Sequence, residues 1–252
     1  MPFLERDGVR IFYEAAGEGP PVLLSHGYSA TSRMWRGQVE VLAPRYRIIT
    51  WDMRGHGQSD SPDDPALYSE AATVADMAAI LDALGIDTAV IGGLSLGGYM
   101  SLAFHLAHPG RVRALMLFDT GPGYRNPAGR EVWNRTAEAR AVAFETRGLD
   151  ALGAGAEVRI AQHRSAKGLA LAARGMLAQF DSRVIESLET IRVPTLVLVG
   201  EKDEPFLGAT DYMAAKIPGA QKVVIPGAGH AANIDNPAAF NAAVEAFLAA
   251  LP

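Results

Sequence analysis

The sequence predicts an α/β protein: a mostly parallel sheet of about eight strands, with helices on both faces and one helical insertion. Three observations carry that expectation. Short apolar runs alternate with helix-periodic stretches along most of the 252 residues, the pattern of strand–helix–strand crossovers. The alternation stops between Tyr124 and about Thr190, where Ala, Arg and Glu dominate and no convincing strand occurs. It resumes abruptly at Val193-Pro-Thr-Leu-Val-Leu-Val-Gly200. Residues 1–123 and 191–252 are therefore expected to form one core domain, with 124–190 a helical cap inserted over the carboxyl edge of its sheet.

In chain order, residues 3–6 and 9–15 around Asp7-Gly8 read as a hairpin, because that dipeptide accepts the positive φ angles of a tight turn. Pro21 to Ser25 reads as a buried strand, Ser32–Leu42 as a helix and Tyr46–Trp51 as the next strand. Ser69 is placed to cap a helix reaching Leu84, with Gly85 ending it. Thr88 to Gly92 is apolar and precedes a helical stretch, Leu96 to Ala107; a strand at Ala114–Asp119 follows. After the insertion come Val193–Gly200, a strand at Gln221–Pro226 and a helix from Pro237 to Leu251.

Composition excludes several classes of function. A net charge of −5, with no basic stripe, argues against binding nucleic acid. No apolar run reaches the length that spans a bilayer. The first residues, Met1-Pro-Phe-Leu-Glu-Arg-Asp-Gly, lack the build of a signal peptide, so cytoplasmic residence is the expectation. The absence of cysteine removes disulfides, thiolate metal sites and cysteine nucleophiles.

Gly93-Leu-Ser-Leu-Gly97 lies between the apolar run and the helix that follows it. In that setting the pattern G-x-S-x-G forms a nucleophile elbow: the turn is so tight that Cβ atoms two residues either side of Ser95 would collide. Gly98 adds further room. A serine hydroxyl is a poor nucleophile at neutral pH and needs a base, which in turn needs an orienting acid. In such sheets those partners follow later strands in the order Ser, Asp/Glu, His. Asp203 lies just after the strand ending at Val199, and His230 lies in the loop Pro226-Gly-Ala-Gly-His after the next strand. Asp119, at the end of the preceding strand, is the positional rival to Asp203, and Glu201 and Glu204 are neighbouring carboxylates. Of the six histidines only His230 has the chain order of a base; His26, His56, His105, His108 and His163 read as structural. An oxyanion hole needs two backbone N–H groups: Leu96 after the nucleophile, and Tyr28 in the turn Ser25-His-Gly-Tyr.

These segments, together with Trp51-Asp-Met-Arg-Gly-His-Gly-Gln-Ser-Asp60, resemble the α/β-hydrolase family, specifically its capped serine esterase and lactonase group. The resemblance covers essentially the whole chain. It implies Ser95 as nucleophile, His230 as base, Asp203 as orienting acid, and the Tyr28 and Leu96 amides as oxyanion hole. It implies a small ester or lactone as substrate, with no metal and no organic cofactor. Arg54-Gly-His-Gly57 is expected to be architectural. Leu94 departs from the histidine that many members carry there. Family branches with a carboxylate nucleophile are disfavoured by Ser95, and prolyl aminopeptidases by Gly27-Tyr-Ser-Ala, where they have Gly-Gly-Pro-Gly. Carbon–carbon bond hydrolases of dienone acids share the triad and stay open, as does a small-molecule receptor with little turnover.

Substrate specificity is expected between cap and sheet edge. Trp35, Phe118, Tyr124, Trp133, Phe180 and Phe206 are the candidate pocket walls, with Tyr28 beside them. The cluster Leu169, Leu171, Met176, Leu177 and Phe180 reads first as cap core. Residues 124–190 carry ten Lys or Arg and eight Asp or Glu, net +2, against −7 for the remainder. That asymmetry suits either attraction of acidic substrates or, more simply, solvated helix faces with pairs such as Glu131 and Arg135.

Overall fold

The computed structural model describes residues 3–252. Strands β1 (Phe3–Arg6), β2 (Val9–Ala16), β3 (Pro21–Ser25), β4 (Arg47–Trp51), β5 (Ala89–Leu94), β6 (Val112–Phe118), β7 (Thr195–Gly200) and β8 (Gln221–Ile225) form one sheet. Their order is β1-β2-β4-β3-β5-β6-β7-β8. β1 and β2 are antiparallel, as are β2 and β4; every later pairing is parallel. The opening hairpin turns at Asp7 and Gly8, with φ of 54 and 71. β7 starts two residues later than the sequence suggests, because Pro194 has no N–H to give to a ladder.

The inner parallel strands are largely apolar because both faces are covered, whereas the edge strand β8 is mostly exposed. Successive side chains go to opposite faces, so one strand feeds two cores. On β6, Leu115 and Leu117 join Met100 and Phe104 of α3 (Leu96–Ala107) and Met77 of α2 (Glu70–Ala83). Met116 and Phe118 go the other way, to Leu42 of α1 (Arg36–Leu42) and Phe240 and Val244 of the C-terminal helix Pro237–Ala249. The predicted helix 32–42 is split: Ser32–Trp35 forms a 3₁₀ turn before α1. Ser69 caps α2 by accepting from the Ala72 N–H.

Between β6 and β7 the chain runs through α4 (Pro127–Arg147), α5 (Ala156–Arg159), α6 (Ala166–Ala172) and α7 (Arg183–Ser187). A helix that the sequence reading does not include, α8 (Glu204–Lys216), follows β7 directly; α9 (Ala232–Asp235) and α10 (Pro237–Ala249) follow β8. No helix among the described residues is long and apolar enough to cross a membrane.

One buried ion pair ties the loop after β4 to α2. Arg54 and Asp76 are both essentially inaccessible, and the guanidinium meets the carboxylate through two bonds, Nε–Oδ2 at 2.7 Å and Nη2–Oδ1 at 2.8 Å. Arg6 of the hairpin reaches the same carboxylate at 2.9 Å.

Candidate active site

Ser95 occupies the single residue between β5 and α3, with φ 55 and ψ −117, a backbone conformation that L-residues rarely adopt. The neighbouring glycines explain how the chain tolerates it. A Cβ on Gly93 would lie 2.5 Å from the Gly97 carbonyl carbon, and one on Gly97 would lie 2.2 Å from the Ser25 oxygen. The turn is held from below by the Ser95 N–H donating to the Phe118 carbonyl at 2.9 Å. The Ser95 carbonyl accepts from the Tyr99 N–H at 3.0 Å and from the Thr120 hydroxyl at 2.6 Å. Ser95 thus stands at the N-terminus of α3, where unpaired N–H groups and the helix dipole favour negative charge.

His230 Nδ1 lies 2.8 Å from Asp203 Oδ2. Asp203 is buried and begins α8, while His230 is partly open and its ring stacks on Phe206 of that helix, centroids 5.0 Å apart. The structure therefore brings Asp203, not Asp119, against the imidazole. Asp119 is nonetheless close behind. It is fully buried with φ 46, its Oδ1 accepts from the Gly200 N–H at 2.7 Å, and its Oδ2 meets no donor. Burial, opposed by the Gly200 bond and reinforced by the Asp203 charge and hydrogen bond, pushes its carboxyl up to about 9. That shift favours the neutral carboxyl behind the Asp203 carboxylate. Glu201 is turned away, accepting from the Gly227 N–H at 2.7 Å.

The turn after β3 is shaped by three histidines. The Met53 N–H donates to His26 Nε2 at 2.9 Å, the Ser29 N–H to His56 Nε2 at 3.2 Å, and the Gly57 N–H to His163 Nδ1 at 3.2 Å. Each ring's other nitrogen faces a carbonyl, Gly27, Arg54 and Ser29 respectively. Every imidazole must accept with one nitrogen and donate with the other, so all three are neutral in the fold. His163 comes from the insertion between β6 and β7, and clasps the turn that holds Tyr28 to the loop after β4. Burial lowers the pKa of all three below the ordinary value.

The sign of the consequence follows from the unfolded chain, whose imidazoles titrate near about 6.5. Above that pH both states are neutral and the histidines contribute nothing to pH dependence. Below it the unfolded chain takes up protons that the fold refuses, so stability is lost as pH falls. Asp119, with its raised pKa, works in the opposite sense over this range, so the test is a difference: between pH 7 and pH 5 the urea midpoint of His163→Gln, whose amide can also donate and accept, is expected to drop less than that of wild type. An equal drop in both proteins would remove His163 from this account.

A cavity of about 260 Å³ opens over Ser95, at the small end of ligand sites (about 300–1,000 Å³). Its walls include Leu96, Tyr99, Thr120, Tyr124, Trp133, Leu177, Gln179 and Phe206. Tyr124, Trp133 and Phe206 thus stand where the sequence reading puts them. Trp35 and Phe118 do not. They pack on each other and on Phe240 in the core on the far face of the sheet, because alternation along β6 sends residue 118 away from the side on which α3 lies. Phe180 is 72% exposed, its neighbour Gln179 taking the inward place. The Tyr28 ring is also off the cavity, edge-on to His56 and Phe144, with its hydroxyl donating to the Leu169 carbonyl at 2.8 Å. Leu169 and Met176 are core, and Leu177 serves both core and cavity. Tyr99 and Gln179 are walls that sequence reasoning misses. Tyr99 had a signal, since it lies one helical turn after Ser95; Gln179, in an irregular stretch, had none.

The family model described as "alpha/beta hydrolase fold" matches residues 20–167. This chain belongs to the α/β-hydrolase fold family. It is 32% identical, over 97% of both chains, to a putative 2-succinyl-6-hydroxy-2,4-cyclohexadiene-1-carboxylate synthase of Bacillus subtilis. Among solved structures it resembles the enol-lactonase of Burkholderia xenovorans at a TM-score of 0.85 and 28% identity, covering 98% of this chain and 100% of that one. It also resembles a thermophilic esterase of Thermogutta terrifontis, solved with malate bound, at 0.82 and 31%, covering 99% and 97%. Hydrolase activity is the coarse function these similarities support; the bond cleaved is the finer question.

Proposed function

We propose that this α/β-hydrolase cleaves small carboxylic esters or lactones through an acyl-enzyme on Ser95. The observation that carries the reading is the strained elbow, which presents Ser95 at a small cavity whose wall residue Phe206 stacks on His230, itself bonded to Asp203. Ser95 Oγ attacks the carbonyl carbon while His230 takes the hydroxyl proton, and the carbonyl electrons move onto oxygen. The oxyanion is received by the Leu96 N–H at the head of α3 and the Tyr28 N–H. The intermediate collapses, the C–O bond breaks, and the leaving alkoxide takes the proton from His230. Water then repeats the sequence on the acyl-enzyme. Asp203 fixes the imidazole tautomer and stabilises its charged form. Residues 124–190 serve as the cap that closes the cavity and selects the acyl group. The esterase and enol-lactonase among the similar structures support the ester or lactone class.

The acid assignment separates Asp203 from Asp119. Asp203→Asn is expected to lower kcat by about 10³–10⁴-fold, because the amide holds the wrong imidazole tautomer. Asp119→Asn replaces a carboxyl biased to its neutral form with an uncharged amide of the same shape, so its activity should stay within about tenfold of wild type. The opposite ranking would make Asp119 the acid.

Initial rates on aryl esters, an enol-lactone and a dienone acid, with Ser95→Ala as control, test the proposal. Ester or lactone turnover that Ser95→Ala abolishes supports it. Faster turnover of the dienone acid makes the chain a carbon–carbon bond hydrolase, and binding without turnover of any substrate makes it a receptor.

A further inference from the structure

The insertion is the more basic part of the chain, yet among the described residues no Lys, Arg, Asp or Glu lines the cavity. Three of its arginines are paired with carboxylates: Arg174 with Glu138 and Glu145, Arg183 with Asp181, and Arg135 with Glu131. The polar ends of the wall residues are mostly occupied as well. The Tyr99 hydroxyl donates to Glu70 at 2.8 Å and Trp133 Nε1 to the Leu177 carbonyl at 2.8 Å.

Gln179 differs from these walls. Its backbone is fixed by Asn134 of α4, which accepts from the Gln179 N–H and donates to the Gln179 carbonyl, both at 2.8 Å. Only 9% of the residue is exposed, and its side-chain Oε1 is buried without a donor. A buried amide oxygen left unpaired carries a desolvation cost that a ligand donor relieves. A carboxamide also rotates to offer N–H in place of C=O, so it can meet a donor or an acceptor.

We infer that the cavity takes an uncharged acyl group bearing a hydrogen-bonding function, such as a primary amide or hydroxyl, which Gln179 recognises. This rests on the ester-hydrolase reading and names its substrate class. A carboxylate in the same place would enter an uncharged site with no cation to pair with, and is rejected by its own desolvation. The recognised group belongs to the acyl part because that part stays in the cavity through both half-reactions.

Three aryl esters of similar length test this at pH 7.5: the monoester of adipic acid, its adipamic counterpart, and the heptanoate. The adipamate is expected to exceed the anionic adipate by about 100-fold in kcat/KM, as two powers of ten separate a paired amide from an unpaired charge. In Gln179→Leu the adipamate-to-heptanoate ratio should fall about tenfold, the loss of one neutral hydrogen bond. An adipate ester turned over as well as the adipamate, or a ratio that Gln179→Leu leaves unmoved, overturns the inference. Binding of the intact esters to Ser95→Ala, read by the change in tryptophan fluorescence, to which Trp133 on the cavity wall responds, separates the two claims. Preference for the adipamate in binding, without turnover by the wild type, sustains the pocket and removes the hydrolase reading. Absence of that preference removes the pocket.

Discussion

Replacing Ser95 by alanine is expected to lower kcat by on the order of 10⁴–10⁶-fold on the best ester, with the fold and its Tm preserved. The size follows from what the hydroxyl does rather than from what it packs against. The structure gives the Ser95 backbone its three hydrogen bonds through N–H and C=O, to Phe118, Tyr99 and Thr120, and an alanine keeps all of them. Alanine at position 95 would hold the same unusual φ of 55, so backbone strain is unchanged. Only the hydroxyl is lost. His230→Ala should cost a comparable factor, and the double variant little more than either, because residues that act as a unit are not additive. A Ser95→Ala protein within about tenfold of wild type would mean that the reaction avoids the acyl-enzyme and uses a water held in the cavity.

Arg54→Met is expected to destabilise the fold by about 3–5 kcal/mol in urea unfolding, a large part of a stability of about 5–15 kcal/mol. The cost is not the loss of an attraction as such. Asp76 is wholly buried, and without Arg54 only Arg6, itself partly exposed, stays near its charge. Taking the charge away as well, in Arg54→Met with Asp76→Leu, should restore most of the loss, since two apolar side chains of similar volume no longer leave an ion in the core. If the single variant loses under about 1 kcal/mol, the pair is accessible to water in solution and does not anchor the loop after β4.

Much of this arrangement was legible in the chain because it rests on local rules. The helix Leu96–Ala107 begins directly after the elbow serine, as the elbow glycines lead one to expect, and Ser69 caps its helix as a serine before a helical run should. The order of Asp203 and His230 after their strands puts them in contact across 27 residues of sequence. The Arg54 segment reads as architecture and is bound as architecture. The pocket was less legible. Trp35, Phe118 and Phe180 are aromatic, and aromatic residues suit a wall and a core equally; only the sheet face on which each falls separates the two. Phe118 shares β6 with Leu117, one residue away and in the other core. The charge asymmetry of 124–190 suggested an acidic substrate as one option, but pairing such as Arg174 with Glu138 and Glu145 depends on the turn after α6 meeting α4, which no local pattern encodes. The clasp of His163 on Ser29 and Gly57 is likewise a product of tertiary contact between segments more than a hundred residues apart.

Covalent labelling of Ser95 by a fluorophosphonate measures the central claim most directly, because the reagent reports an activated serine whatever the natural substrate is. Intact-protein mass spectrometry should show one adduct per chain, peptide mapping should place it on Ser95, and His230→Ala should abolish it in folded protein. Folded wild type that stays unlabelled, or an adduct on another residue, would contradict the assignment of this elbow as the catalytic centre.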